Sequence, residues 1–236
     1  MTIRHRSLLP ILFALVLPFL PGARVAAQAN VQLVPFIGSY MPLTTFGSSS
    51  RPQSGNIPAR TSTYRESIGV LAGLRLRLEL TDRFAIEGSG AWVRSGWTEK
   101  QEVSGANVSS VGFSLPGSVL LFQARGTVKP WRGNTYLGAG VTYRQRGGEA
   151  WDEEKVSTFL TSTQFNNSNL GAVVGFGVRA SASPRVLFDI GADLHLYSVN
   201  RVERGFALAG NDPFRNNATA ADVIVTVGIP VHLGGS

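Results

Sequence analysis

The stretch Ile68-Gly69-Val70-Leu71-Ala72-Gly73-Leu74-Arg75-Leu76-Arg77-Leu78-Glu79-Leu80 decides the fold. In an extended chain Ile68, Val70, Ala72, Leu74, Leu76, Leu78 and Leu80 share one face, and Gly69, Leu71, Gly73, Arg75, Arg77 and Glu79 share the other. Successive side chains of a strand point to opposite faces, whereas a helix would spread those arginines around its circumference. At about 3.3 Å per residue the stretch covers roughly 40 Å, more than a strand of a soluble sheet usually does.

The alternation recurs down the chain. Leu120 to Lys129, Leu170 to Ser181, Val186 to Tyr197 and Val223 to Leu233 each set an apolar face against one of glycine, polar and charged residues. Val31 to Tyr40, Phe84 to Trp97 and Thr135 to Arg144 carry weaker versions, which makes eight strands. Short connections lie at Thr81-Asp82-Arg83, Pro130 to Asn134 and Ala182 to Arg185. Long polar ones cover residues 42–66, 98–117, 146–168 and 200–221, all beyond the ordinary loop length. Strands beginning near 68, 119, 170 and 222 mark a hairpin unit of about 50 residues. The expected fold is all-β, an eight-stranded antiparallel up-and-down barrel.

Composition narrows the setting. Of 236 residues 43% are hydrophobic and only 16% charged, against about a quarter in a soluble domain, and there is no cysteine. That excludes a disulfide scaffold, thiolate metal sites and a cysteine nucleophile. Met1 to Ala27 reads as a cleaved signal peptide: Arg4, His5 and Arg6 precede the apolar run Leu8 to Leu20, and Val25-Ala26-Ala27 offers a cleavage site. Residues 28–236 then form one domain, whose formal charge drops from +7 to about +4 with the loss of three arginines. The uncharged stretches Val103 to Ala124 and Val156 to Val178 are too rich in Ser, Asn, Thr, Gln and Gly to cross a membrane as helices.

A soluble barrel turns its apolar face inward; a membrane barrel does the reverse. Here the charges share a face with most of the glycines, which suit a crowded lumen, and the strands are long enough to cross a bilayer tilted. Trp92, Trp97, Trp131, Tyr136, Tyr143 and Phe188 lie near strand ends, where an aromatic girdle is expected. The phrases Val31 to Gly38, Tyr136 to Val141 and Val223 to Leu233 carry a resemblance to small outer-membrane β-barrels of Gram-negative bacteria, OmpA/OmpX-like in size. The resemblance covers the whole mature chain. It implies a monomer in the outer membrane, in contact with membrane lipid and lipopolysaccharide, inserted by the barrel-assembly machinery, and without catalysis or cofactor. Such proteins often end on an aromatic residue; here Leu233 is followed by Gly234-Gly235-Ser236.

The charges expected in the lumen are Arg75, Arg77, Glu79, Glu87, Arg125, Arg144, Arg179, Asp189, Asp193 and His195. Two readings compete for them. As a salt-bridged plug they fill the barrel; as a charged pore they line a narrow porin-like channel. The plug is preferred because eight strands leave little interior space. A periplasmic lipocalin-like carrier of small molecules is a further alternative. Asp193 and His195 share a face but lack further metal ligands nearby, so no metal site is expected. A lipid A deacylase would need a His-x-Ser pair on one face, and Ser198 stands three residues past His195, on the opposite face. Gly175 to Ala180 matches a dinucleotide glycine pattern inside a strand, the wrong setting for it. Nucleic acid is not expected, because the arginines alternate along strands and do not cluster. Arg201, Arg204 and Arg215 of the fourth loop are candidates for lipopolysaccharide phosphates, set against a solvated loop with Glu203 and Asp212 interleaved. Asn-x-Ser/Thr sites at Asn107, Asn166 and Asn217 carry little weight in the bacterial setting that the resemblance implies. No partner for the loops is legible.

Overall fold

The computed structural model describes residues 30–51, 54, 58–103, 109–131, 133–149, 168–183, 186–205 and 214–233. The expected signal peptide lies outside them. Strands in chain order are β1 (Asn30–Pro42), β2 (Thr45–Arg51), β3 (Arg60–Glu66), β4 (Gly69–Glu79), β5 (Phe84–Arg94), β6 (Trp97–Val103), β7 (Ser109–Leu115), β8 (Ser118–Val128), β9 (Thr135–Gly147), β10 (Ser168–Ser183), β11 (Val186–Gly205), β12 (Phe214–Gly228) and β13 (Val231–His232).

Eight of these, β1, β4, β5, β8, β9, β10, β11 and β12, each pair antiparallel with the next, and β12 closes on β1. The ring's stagger can be followed residue by residue. From Gln32 the register leads to Arg77, Glu87, Arg125, Gly140, Val173, His195 and Asp222, and returns to β1 at Pro42, ten residues beyond the start. Eight strands with that shear tilt by roughly 40–45° and enclose a radius of about 8 Å. Every residue on the path before Pro42 is on the inner face, so one turn of the ring samples the lumen.

The two faces divide as the alternation implies. Outside, Ile68, Val70 and Leu170 are more than 70% exposed, and Leu74, Phe176 and Val141 more than 50%. Inside, Phe36, Tyr40, Leu71, Val93, Val119, Leu121 and Ile224 form one buried cluster, surrounded by buried arginines and carboxylates. Side-chain packing therefore takes place in the lumen, and the apolar surface is left for a surrounding medium.

Two expectations need correction. Residues 42–66 and 98–117 are not irregular: they hold β2, β3, β6 and β7, which extend the wall above the barrel. With no apolar medium to face, sequences such as Arg60-Thr-Ser-Thr-Tyr-Arg-Glu66 carry no period-two hydrophobic signal, although Thr and Tyr favour strands. The final strand also begins earlier, at Phe214, and is interrupted at Ile229-Pro230. Proline has no N–H, and pairing to β11 stops at Gly228↔Asp189. β13 nevertheless continues beside β1 in unchanged register, at Gln32↔His232.

The inward face switches from odd to even residues at Ser67, between β4 and β3. There Ser67 Oγ accepts from Gly96 N at 2.8 Å and Ser95 Oγ donates to Ser67 O at 2.6 Å, knitting the bend. The upper sheet also reaches past β12. Val202 and Glu203 of β11 pair with Arg215 and Phe214 on one edge and, in parallel, with Gly47 and Ser48 of β2 on the other.

Candidate functional site

The lumen of so narrow a ring receives one side chain per strand per level, and its inner faces supply arginine and carboxylate at neighbouring levels. At the turn end, Arg77 Nη1 lies 2.9 Å from Glu87 Oε1 and Arg125 Nε 2.6 Å from Glu87 Oε2. Arg75 Nη1 is 2.9 Å from Asp189 Oδ1, Arg179 Nη1 2.9 Å from Glu79 Oε1, and Arg125 also pairs with Asp193. Gln32 Oε1 accepts a further bond from Arg179 at 2.9 Å. At the loop end, Arg144 Nη1 lies 2.6 Å from Asp222 Oδ2, while Glu66 stands 3.6 Å from Arg144 and 3.4 Å from Arg146. Tyr40 and Tyr197 each donate a hydroxyl to Asp222, at 3.0 and 2.9 Å, and the Arg144 guanidinium stacks 4.1 Å over the Tyr197 ring.

These contacts join six arginines to six carboxylates: Arg75, Arg77, Arg125 and Arg179 with Glu79, Glu87, Asp189 and Asp193, then Arg144 and Arg146 with Glu66 and Asp222. Each group sums to zero formal charge. A buried charge is tolerated only when paired, and balance within each layer meets that condition locally. Between the layers lie Phe36, Leu71, Leu121 and Ile224. A cavity of about 20 Å³ remains beside them, lined also by His195 and Thr226, a size that holds about one water.

The structure places all ten sequence-selected lumen residues on the inner face; nine are buried, and Glu79 is half-buried at the turn end. The Asp193–His195 pair does not form. Asp193 bonds to Arg125 and, at 3.3 Å, to Gln123, whereas His195 Nδ1 meets Thr142 Oγ1 at 3.1 Å. Among the described residues no group of three His, Cys, Asp or Glu side chains could hold a metal.

Two members of the expected aromatic girdle are inside. Tyr136 is fully buried: its hydroxyl donates to Asp189 at 2.6 Å, and its ring lies 4.8 Å under the Arg77 guanidinium. It follows the parity of Gly138 and Gly140, and proximity to a strand end does not override parity. Trp97 is buried for the same reason, continuing the inward file of Val93. Trp92, Trp131, Tyr143 and Phe188 remain outside, the first and third toward the loops and the other two toward the turns. The glycines of Gly175 to Ala180 have a packing role. A Cβ on Gly177 would strike the Tyr136 ring, and one on Gly175 the Asp193 carboxylate. Arg201, Arg204, Arg215 and Asn217 lie on described strands, but their own side chains are outside the described set, and Asn107 and Asn166 lie outside the described residues.

Tyr40, Glu66, Arg146, Tyr197 and Asp222 were not singled out by the sequence. Alternation alone puts Arg146 with Arg144 and Tyr197 with His195; Glu66 is masked by the parity switch at Ser67.

No protein-family model and no curated protein matches the sequence. Among solved structures the chain is similar to the outer membrane protein OprG from Pseudomonas aeruginosa, at 11% identity and a TM-score of 0.53, covering 87% of this chain and 97% of that one. It is also similar to outer membrane protein AlkL, at 10% identity and 0.44 over 89% and 93%, and to Ail of Yersinia pestis, at 10% and 0.35 over 85% and 99%. The fold is the closed eight-stranded antiparallel β-barrel of small bacterial outer-membrane proteins.

Proposed function

We propose that the chain is a monomeric integral protein of the outer membrane, inserted by the barrel-assembly machinery with turns in the periplasm and loops outside. Its lumen is a plug, and its role is structural or in surface interaction through the extended β2–β3–β6–β7 sheet, without catalysis or cofactor. One observation carries this reading: the surface is inverted, with a neutral ion-pair network inside and an apolar belt outside. A lipocalin-like carrier needs an apolar interior and a wet exterior, so that arrangement counts against it. A channel needs unpaired lumen charge or continuous space, and here the arginines are matched by carboxylates around a cavity of about 20 Å³.

In a planar bilayer the purified protein is expected to give no stepwise conductance; steady openings would favour the channel. Unboiled protein in detergent gels is expected to run faster than boiled protein, as a closed barrel does, and solubility without detergent would favour the carrier. Lipid A mass is expected to be unchanged on expression, and a lost acyl chain would restore the enzyme reading.

A further inference from the structure

The wall of the barrel is weakest where its last strand ends. Pairing of β12 to β11 stops at Gly228↔Asp189, Pro230 has no N–H to resume it, and β13 pairs β1 and no other described strand. The backbone still holds it there, with Leu233 N donating to Val31 O at 2.8 Å and Ile229 N to Pro35 O at 3.1 Å. Val231 and Leu233 point outward and are half exposed, so little protein packs against them. On the inner face a side-chain contact joins the two strands. Gln32 Nε2 lies 3.2 Å from His232 Nε2, directly opposite in register.

The other partner of Gln32 fixes the chemistry of that contact. Arg179 Nη2 lies 2.9 Å from the Gln32 amide, and a guanidinium has no lone pair to accept with. The amide must therefore turn its oxygen to Arg179 and its NH2 to His232. His232 Nε2 then has to accept, which places the ring proton on Nδ1 and requires a neutral imidazole. Protonation puts an N–H where the acceptor was. Gln32 would then have one carbonyl for two cations on opposite sides: turned to His232 it deserts Arg179, and left in place it sets donor against donor. No spare carboxylate is at hand. From β1 the inner-face neighbours are Asn30, Gln32 and Val34, none of them titratable. The charged groups at this end are Arg77 and Glu79 of β4, Arg179 of β10 and Asp189 of β11, members of the layer whose charges already sum to zero. Glu79 is held by Arg179 at 2.9 Å and by Asn30 at 3.0 Å, and Asp189 by Arg75 at 2.9 Å.

We propose that Gln32 and His232 form a pH-sensitive latch on the end of the last strand, closed while the imidazole is neutral and released when it is protonated. Release frees Val231 to Leu233 from β1 and opens the turn end of the β1–β12 seam, leaving the Arg179–Glu79 pair facing the medium. The latch stands on the geometry of the barrel alone. That the periplasm is the compartment whose acidity works it rests on the proposed membrane placement, with the turns on that side.

The test uses the full chain refolded in detergent micelles and read by nuclear magnetic resonance at about pH 8 and pH 5, the range over which an imidazole changes charge. At the higher pH the His232 ring is expected to carry its proton on Nδ1. At the lower pH the protection of the Leu233 amide against hydrogen exchange, corrected for the intrinsic effect of pH, is expected to fall about tenfold. The Ile37 amide, between β4 and β12, is expected to keep its protection. In His232→Gln, whose side-chain oxygen can accept from Gln32 at either pH, Leu233 is expected to stay equally protected at both. A neutral ring protonated on Nε2, or a Leu233 protection indifferent to pH, overturns the inference. So does a loss shared by Ile37, or one that persists in the variant, where His195 remains. Heat-dependent mobility of the same samples separates the two levels. A compact barrel without the latch defeats this inference alone; a chain that never gives the compact form defeats the membrane reading and this inference with it.

Discussion

Glu87→Ala is expected to lower the stability of the folded barrel by about 3–5 kcal/mol, the range for breaking a buried ion pair by removing one partner. Glu87 is one of two carboxylates in the turn-end layer, with Asp189, that each serve three arginines. Its Oε1 serves Arg77 at 2.9 Å, and its Oε2 serves Arg125 at 2.6 Å and Arg75 at 3.8 Å. Without it, four arginines are left with three carboxylates inside a ring that water scarcely enters. Urea unfolding in lipid vesicles, read by the fraction running as compact barrel, measures the loss. Adding Arg125→Met restores the charge balance and should recover part of it, because the cost comes from an uncompensated charge more than from a missing contact. A loss under about 1 kcal/mol, the scale of solvated ion pairs, would mean the layer is wet and would reopen the channel reading.

The contrast between strands and upper sheet shows how far the sequence could be read. Where one face meets an apolar medium, as from Ile68 to Leu80, period two is forced on the chain and both the strand and its inward residues can be read directly. Arg75, Arg77 and Glu87 were legible for that reason. Above the belt that constraint lapses, and β2, β3, β6 and β7 look like polar loop although they pair throughout. Tyr136 failed differently. Its parity was available, but an aromatic residue at a strand end also fits a girdle, and only the Asp189 carboxylate within reach of its hydroxyl decides between them. Which arginine meets which carboxylate depends on the ten-residue stagger of the ring, a property of all eight registers together and of no single segment.

Gly38→Val is expected to abolish the compact barrel. A Cβ at Gly38 would collide with the carbonyl oxygen of Val225 across the β1–β12 seam. This seam differs from the other seven because it joins the first barrel strand to the last, with no connecting turn to hold the two together. It is also short of hydrogen bonds: Pro35 O accepts from Ile229 N at 3.1 Å, but Pro35 has no N–H to return. In hydrocarbon an opened seam cannot be repaired by water, so each exposed backbone group costs several kcal/mol. Gly140→Val makes an equivalent collision, with Ala124 O, but between β8 and β9, which a short turn connects. That variant is expected to close with reduced stability. Gly126→Ala, whose Cβ meets nothing within 4 Å, is expected to fold as the unaltered chain does. The yield of the faster-running form after refolding into detergent ranks the three. If Gly38→Val and Gly140→Val gave equal yields, closure would depend on total wall strain and the terminal seam would have no special part. The expected order instead makes the junction of the chain's two ends the step that completes the barrel, with the lumen ion pairs able to form only once β12 has delivered Asp222 beside Tyr40 and Arg144.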